Sequence, residues 1–147
     1  MPILGYSLKS ITAEKKNPNP TVKMDIASAS NITAVEEASL DLFGKQPTLG
    51  ISFEFKSEYK PDVGIMKFVG DLIYTEKDIK NILKEWKKNK RLPPENDAEI
   101  RNFLFRKCLK LALDISEELQ LPPPLAFPVL VPKKQEEEKE NKAEYIG

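Results

Sequence analysis

Histidine is absent from the 147 residues, which removes the commonest general acid/base and the commonest transition-metal ligand. Catalysis would have to rest on carboxylates, lysines or a lone thiol, and the chain groups none of these. Its acidic residues are scattered, without the i, i+3 or i, i+4 ligand spacing of a metal site. No enzyme activity, metal or cofactor is therefore expected. Cysteine is almost absent too: Cys108 stands alone, so no intramolecular disulfide can form. On the apolar stripe where it falls, it is read as a small hydrophobe and not as a reactive thiolate. Glycines such as Gly44, Gly50, Gly64 and Gly70 come singly, with no GxGxxG or phosphate loop to hold a nucleotide.

Excess charge is missing as well, since 23 basic residues balance 23 acidic ones and no bulk field draws the protein to nucleic acid or anionic lipid. A long apolar run is also missing. The longest charge-free apolar stretch, Leu119 to Pro132, is interrupted by five prolines, so no membrane span is read. The start MPILGYSLKS has neither a basic nor an apolar signal region, and reducing cytoplasm is the expected compartment. Outside the secretory route the sequon Asn31-Ile32-Thr33 carries no weight.

What is present suffices for one core. The chain is 40% hydrophobic and 31% charged, against about 25% charged in an average globular protein, and its length suits a single domain. Ile3 to Ile11 reads as a strand, Leu4, Tyr6 and Leu8 alternating with Gly5, Ser7 and Lys9, until Asn17-Pro18-Asn19-Pro20 breaks it. Alternation resumes from Val22, with Met24 and Ile26 opposite Lys23, Asp25 and Ala27. Ala38 to Phe43 is read as a further short strand, although Ala34 to Leu42 would tolerate helix. Leu49 to Tyr59 is the clearest strand, with Leu49, Ile51, Phe53, Phe55 and Tyr59 on one face and Ser52, Glu54, Lys56 and Glu58 on the other. Lys60-Pro61-Asp62 supplies a turn into Val63 to Tyr74, apolar in both registers. That pattern predicts a central strand covered on both faces, hairpin-paired with the one before.

Thr75, with Asp78 three residues on, reads as the N-cap of a first helix that Pro93-Pro94 ends. Its apolar stripe is Ile79, Ile82, Leu83 and Trp86. Asn96 or Asp97 is the expected cap of a longer helix to about Gln120. Ile100, Phe103, Leu104, Cys108, Leu111, Ala112, Ile115 and Leu119 form its main stripe, with Phe105, Leu109 and Leu113 beside it. At about 100° per residue these positions cover more than half the circumference, which calls for two apolar neighbours. One is the sheet; the other is a second copy or the remaining segments of the same chain. Leu121 to Pro132 is apolar, proline-rich and extended, either docked on the core or a recognition motif. The domain is placed at residues 1–132, with Lys133 to Gly147 as a disordered charged tail.

The order of elements resembles that of the SecB-type export chaperones and their archaeal relatives. Tyr6-Ser7-Leu8-Lys9-Ser10-Ile11 with Asn17-Pro18-Asn19-Pro20 is similar to the first strand and its loop. Leu49-Gly50-Ile51-Ser52-Phe53-Glu54-Phe55 with Val63 to Tyr74 resembles the central hairpin. Asn102-Phe103-Leu104-Phe105 and Leu121-Pro122-Pro123-Pro124-Leu125-Ala126-Phe127-Pro128-Val129 resemble the long helix and its proline-containing exit. The chain departs from the family in its more basic first helix and its balanced charge. The resemblance implies an α+β fold, an antiparallel four-stranded sheet with two C-terminal helices on one face. It also implies dimers or tetramers and ATP-independent holding of unfolded or precursor polypeptides. Phe43, Leu83, Trp86, Phe127 and Val129 are the candidate client-binding residues, since passive holding needs accessible apolar area. The alternative is an RNA- or ribosome-associated accessory protein using the basic helix at 77–91 through Lys84, Lys87, Lys88 and Arg91.

Overall fold

The computed structural model describes residues 3–17, 24–38, 47–125 and 130. Four strands are followed by two helices: β1 (Ile3–Lys15), β2 (Asp25–Ala38), β3 (Thr48–Lys60), β4 (Gly64–Thr75), α1 (Ile79–Asn89) and α2 (Pro94–Glu118). The strands form one antiparallel sheet in the order β1-β4-β3-β2. β2, β3 and β4 make a meander, and β1 closes on the far side of β4, which puts β1 and β2 at opposite edges. The expected α+β architecture is therefore present.

The period of two drives this arrangement. On β3, Leu49, Ile51, Phe53 and Phe55 are wholly buried and Tyr59 nearly so, while Gly50, Ser52, Glu54, Lys56 and Glu58 stay partly open. Their β4 partners Leu72 and Phe68, opposite Ile51 and Phe55, continue the same buried face. Phe55 stacks on Phe68, and Tyr6 of β1 stacks on Phe53, with ring centroids 5.7 Å apart in both pairs. Both helices cover this face. α2 seats Ile100, Leu104, Cys108, Ala112 and Ser116 against it, one residue per turn. Ser116 can join that apolar row because its hydroxyl donates to the Leu113 carbonyl at 2.8 Å.

Three tyrosine hydroxyls tie the sheet to the helical layer along the length of α2. Tyr74 donates to Glu99 (2.9 Å) and accepts from Asn96 (2.8 Å) near its start. Tyr6 meets the Cys108 sulfur at 3.8 Å near its middle. Tyr59 donates to the Pro122 carbonyl (2.6 Å) just beyond its end.

Several local expectations are corrected. Residues 34–38 extend β2 and are not helical, because Val35 pairs with Ile51 and enters the core. β4 is central, but only its helix-side face is fully covered; Ile65, Val69 and Ile73 on the other face remain partly open. Asp78, not Thr75, caps α1, accepting from the Asn81 amide, while the Thr75 hydroxyl donates to the Pro47 carbonyl. α2 begins earlier than Asn96 or Asp97, with Pro93 as N-cap and Pro94 as its first residue, a position where proline's missing N–H costs nothing. The proposed segment Leu40 to Phe43, most of the proline-rich exit and residues 133–147 lie outside the described residues.

Candidate functional site

Among the described residues, two apolar features of the helical layer are left uncovered. The first follows from how α2 sits. Because only one residue per turn is fully buried, the rows on either side are half-buried: Phe103, Leu111 and Ile115 on one flank, and Phe105, Leu109 and Leu113 on the other. Phe103 meets Tyr6 edge-on and Phe105 meets Phe55 edge-on, at 5.6 and 6.0 Å, so the inner edge of each flank is anchored. The wide arc read from sequence is thus real, and the sheet occupies only its centre.

The second feature is a groove of about 380 Å³ where the end of α1, the start of α2 and edge strand β2 converge. Ile32, Trp86, Leu92 and Pro94 give it an apolar lining, and Lys90, Arg91 and Arg101 with Asp97 line the rest. α1 ends as Lys90 turns left-handed at φ 55° and its amide donates to the Trp86 carbonyl at 2.8 Å. That turn carries the Lys90 ammonium over the indole, 5.7 Å from its centroid. Arg101 is fixed at two points: its Nε donates to both Asp97 carboxylate oxygens at 2.9 Å, and its Nη1 donates to the Ser30 carbonyl of β2.

The expected client-binding residues divide. Leu83 is half-buried, and Trp86 is 9% exposed, a member of the core whose open edge lines the groove. Phe43, Phe127 and Val129 lie outside the described residues. Lys84, Lys87 and Lys88 gather with Lys80 around Leu83 on an open face of α1. Arg91 does not join them, because the chain has left the helix by then and the side chain lines the Trp86 groove instead. Sequence reasoning missed Ile32, Lys90 and Arg101 as groove residues. The Asp97–Arg101 spacing of four was visible, but nothing in it told that the guanidinium reaches a strand 71 residues away.

Little here points to chemistry. Burial pushes the Cys108 thiol above its ordinary value, which disfavours the nucleophilic thiolate. Among the described residues no group of three His, Cys, Asp or Glu side chains could hold a metal ion. No described helix is long and apolar enough to cross a membrane.

Such an arrangement, a four-stranded antiparallel sheet with two helices on one face and α2 half-open on both flanks, is the SecB-like fold. Among solved structures, the SecB-like chaperone Rv1957 of Mycobacterium tuberculosis, in complex with a ChAD peptide from the HigA1 antitoxin, superposes with a TM-score of 0.53. It is 16% identical and the match covers 88% of each chain. No protein-family model and no curated protein matches the sequence.

Proposed function

We propose that this protein is a holding chaperone that binds unfolded or extended polypeptide segments on apolar surface without a nucleotide cycle, precursors awaiting export being one class of client. The observation that carries this reading is the seating of α2: Phe105, Leu109 and Leu113 on one side and Phe103, Leu111 and Ile115 on the other are half-open. Contiguous apolar surface of that kind marks an interaction site on a soluble domain. A fold neighbour solved with a bound peptide supports it. The same flanks suit a second copy of the chain, and we propose a homo-oligomer, dimer or tetramer, working in the cytoplasm. Light scattering should then give a multiple of 16.7 kDa that survives high salt, since buried apolar association is not screened.

The decisive test is suppression of aggregation. At stoichiometric ratio and without nucleotide, the protein should slow light-scattering growth of several unrelated unfolded clients; failure with all of them would end the chaperone reading. Leu83→Ser should weaken retention while circular dichroism stays unchanged, because Leu83 is only half-buried. Trp86→Ser is the poorer probe, since loss of a core indole costs about 3–5 kcal/mol and would confuse unfolding with loss of binding.

A second reading rests on Lys80, Lys84, Lys87 and Lys88 around Leu83, a basic face able to meet RNA phosphates. Sub-micromolar RNA binding at physiological salt, lost in a Lys84→Glu, Lys87→Glu, Lys88→Glu variant, would put it first.

A further inference from the structure

The flanks of α2 are mainly apolar, with Lys107 over the Phe103 ring at 5.8 Å, whereas charged side chains line half of the groove beside Trp86. Of its four charged side chains, Asp97 is already engaged by Arg101 through both carboxylate oxygens. Lys90 and Arg91 are exposed, and among the described residues neither has a carboxylate within ion-pairing distance. Among the described residues Lys90 is held only by the indole face at 5.7 Å, a contact weak enough at an exposed site to yield to a carboxylate. Arg101 is clamped by Asp97 and Ser30, and its Nη2 has no hydrogen-bond partner among the described residues. It is a donor already in place, so little side-chain entropy is lost when it binds.

We propose that this groove is a selective subsite for extended polypeptide in which an apolar or aromatic side chain is followed closely by carboxylate-bearing residues. The apolar side chain rests on Ile32, Trp86, Leu92 and Pro94; the carboxylates meet Lys90, Arg91 and Arg101. The volume, about 380 Å³, is at the small end of ligand sites and suits one or two side chains, not a folded domain. Charge complementarity decides the class of occupant, because a basic segment would bring like charges together and, among the described lining residues, the one carboxylate, Asp97, is already engaged by Arg101. This subsite rests on the polypeptide-holding reading and adds to it a preference that apolar surface alone does not give.

Trp86 is the only tryptophan, so its emission reports occupancy of the groove. Short synthetic peptides sharing a Phe-Leu-Val centre and flanked by glutamates, by lysines or by serines should be titrated into the full-length protein. The glutamate-flanked peptide should shift Trp86 emission and bind about tenfold more tightly than the lysine-flanked one at low salt, the gap closing as salt rises. A Lys90→Glu, Arg91→Glu variant should reverse the order. Equal affinity for all three peptides, or no binding by any, would overturn the subsite. In either case the aggregation assay on the wild-type protein decides separately whether the holding function stands. Loss of the oligomer in the charge-reversed variant would also overturn it, by assigning the groove to a second copy of the chain.

Discussion

At Gly70 the absence of one carbon atom sets how β1 and β4 meet. A Cβ built there would run into the Ser7 carbonyl oxygen and stand 3.0 Å from both Leu8 Cα and Phe53 Cζ. Two of these three obstacles are backbone and cannot swing aside. The close approach coincides with the irregularity in β1 between Leu8 and Ser10, where the edge strand shifts register against β4. Gly50, in the neighbouring strand, differs: its nearest atoms would be Ala38 Cβ at 3.8 Å and the Glu36 carbonyl oxygen at 3.9 Å, ordinary contact. Gly70→Ala should therefore cost about 2–3 kcal/mol of stability, as overpacking does. Gly50→Ala should be neutral or stabilising by about half a kcal/mol through the unfolded state. Urea unfolding of the two variants side by side checks this; equal effects would show that β1 can retreat from Gly70. In the sequence both were lone glycines and nothing told them apart, because the distinction lies in which strand crosses opposite.

Elements were legible in proportion to how far local pattern decided them. β3 was read well because Leu49, Ile51, Phe53 and Phe55 alternate without exception and the same residues are wholly buried. β2 was cut short because Ser28, Ser30 and Asn31 lack apolar side chains; Ser28 earns its place by a 2.7 Å hydroxyl contact to Ser57 across the ladder, a non-local fact. The both-face reading of β4 failed for the opposite reason, since apolar residues in two registers say nothing of whether a second layer exists to cover them. The α1 cap was misplaced because Thr75 and Asp78 are both good caps, and the sheet claimed Thr75, which pairs with Thr48. Of the candidate site, Leu83 and the cluster Lys84, Lys87 and Lys88 were legible from helical spacing. The groove was not, since Ile32, Trp86 and Arg101 come from three separate elements. Asp78→Ala should lower stability by about 0.5–1 kcal/mol, the low end befitting a 3.4 Å cap bond. Thr75→Ala should leave α1 helicity unaltered in circular dichroism, and a larger helical loss from Thr75→Ala than from Asp78→Ala would make Thr75 the cap.

For the molecule as a whole, the two layers are joined by the hydroxyls of Tyr6, Tyr59 and Tyr74, and this gives stability a dependence on alkaline pH. Burial pushes all three phenols up, Tyr59 from 10.0 to about 12 and the other two further. At Tyr6 the Cys108 contact adds to the burial effect, and at Tyr74 the Glu99 carboxylate does. In the unfolded chain these groups lose their protons near 10, while the folded protein keeps them; between those values the native state binds more protons. Stability contributed by the neutral phenols is therefore fully present below about pH 10 and declines as pH rises through the folded values. Each phenol contributes a slope of at most about 1.4 kcal/mol per pH unit in that window. Burial of Cys108, whose thiol is also raised, starts the decline somewhat earlier, as the unfolded thiol ionises first. Urea midpoints measured from pH 8 upward should hold steady and then fall; in a Tyr145→Phe background, which leaves Tyr6, Tyr59 and Tyr74 as the only tyrosines, tyrosinate absorbance should appear together with unfolding and not before it. Tyr59→Phe removes the bond to the Pro122 carbonyl and lowers stability at pH 8 by about 1 kcal/mol, but it should make the alkaline decline shallower, since one of the resisting protons is gone. A decline of equal steepness in wild type and Tyr59→Phe would show that this hydroxyl does not hold its proton in the folded state, and that its bond to the Pro122 carbonyl does not tie the end of α2 to the sheet.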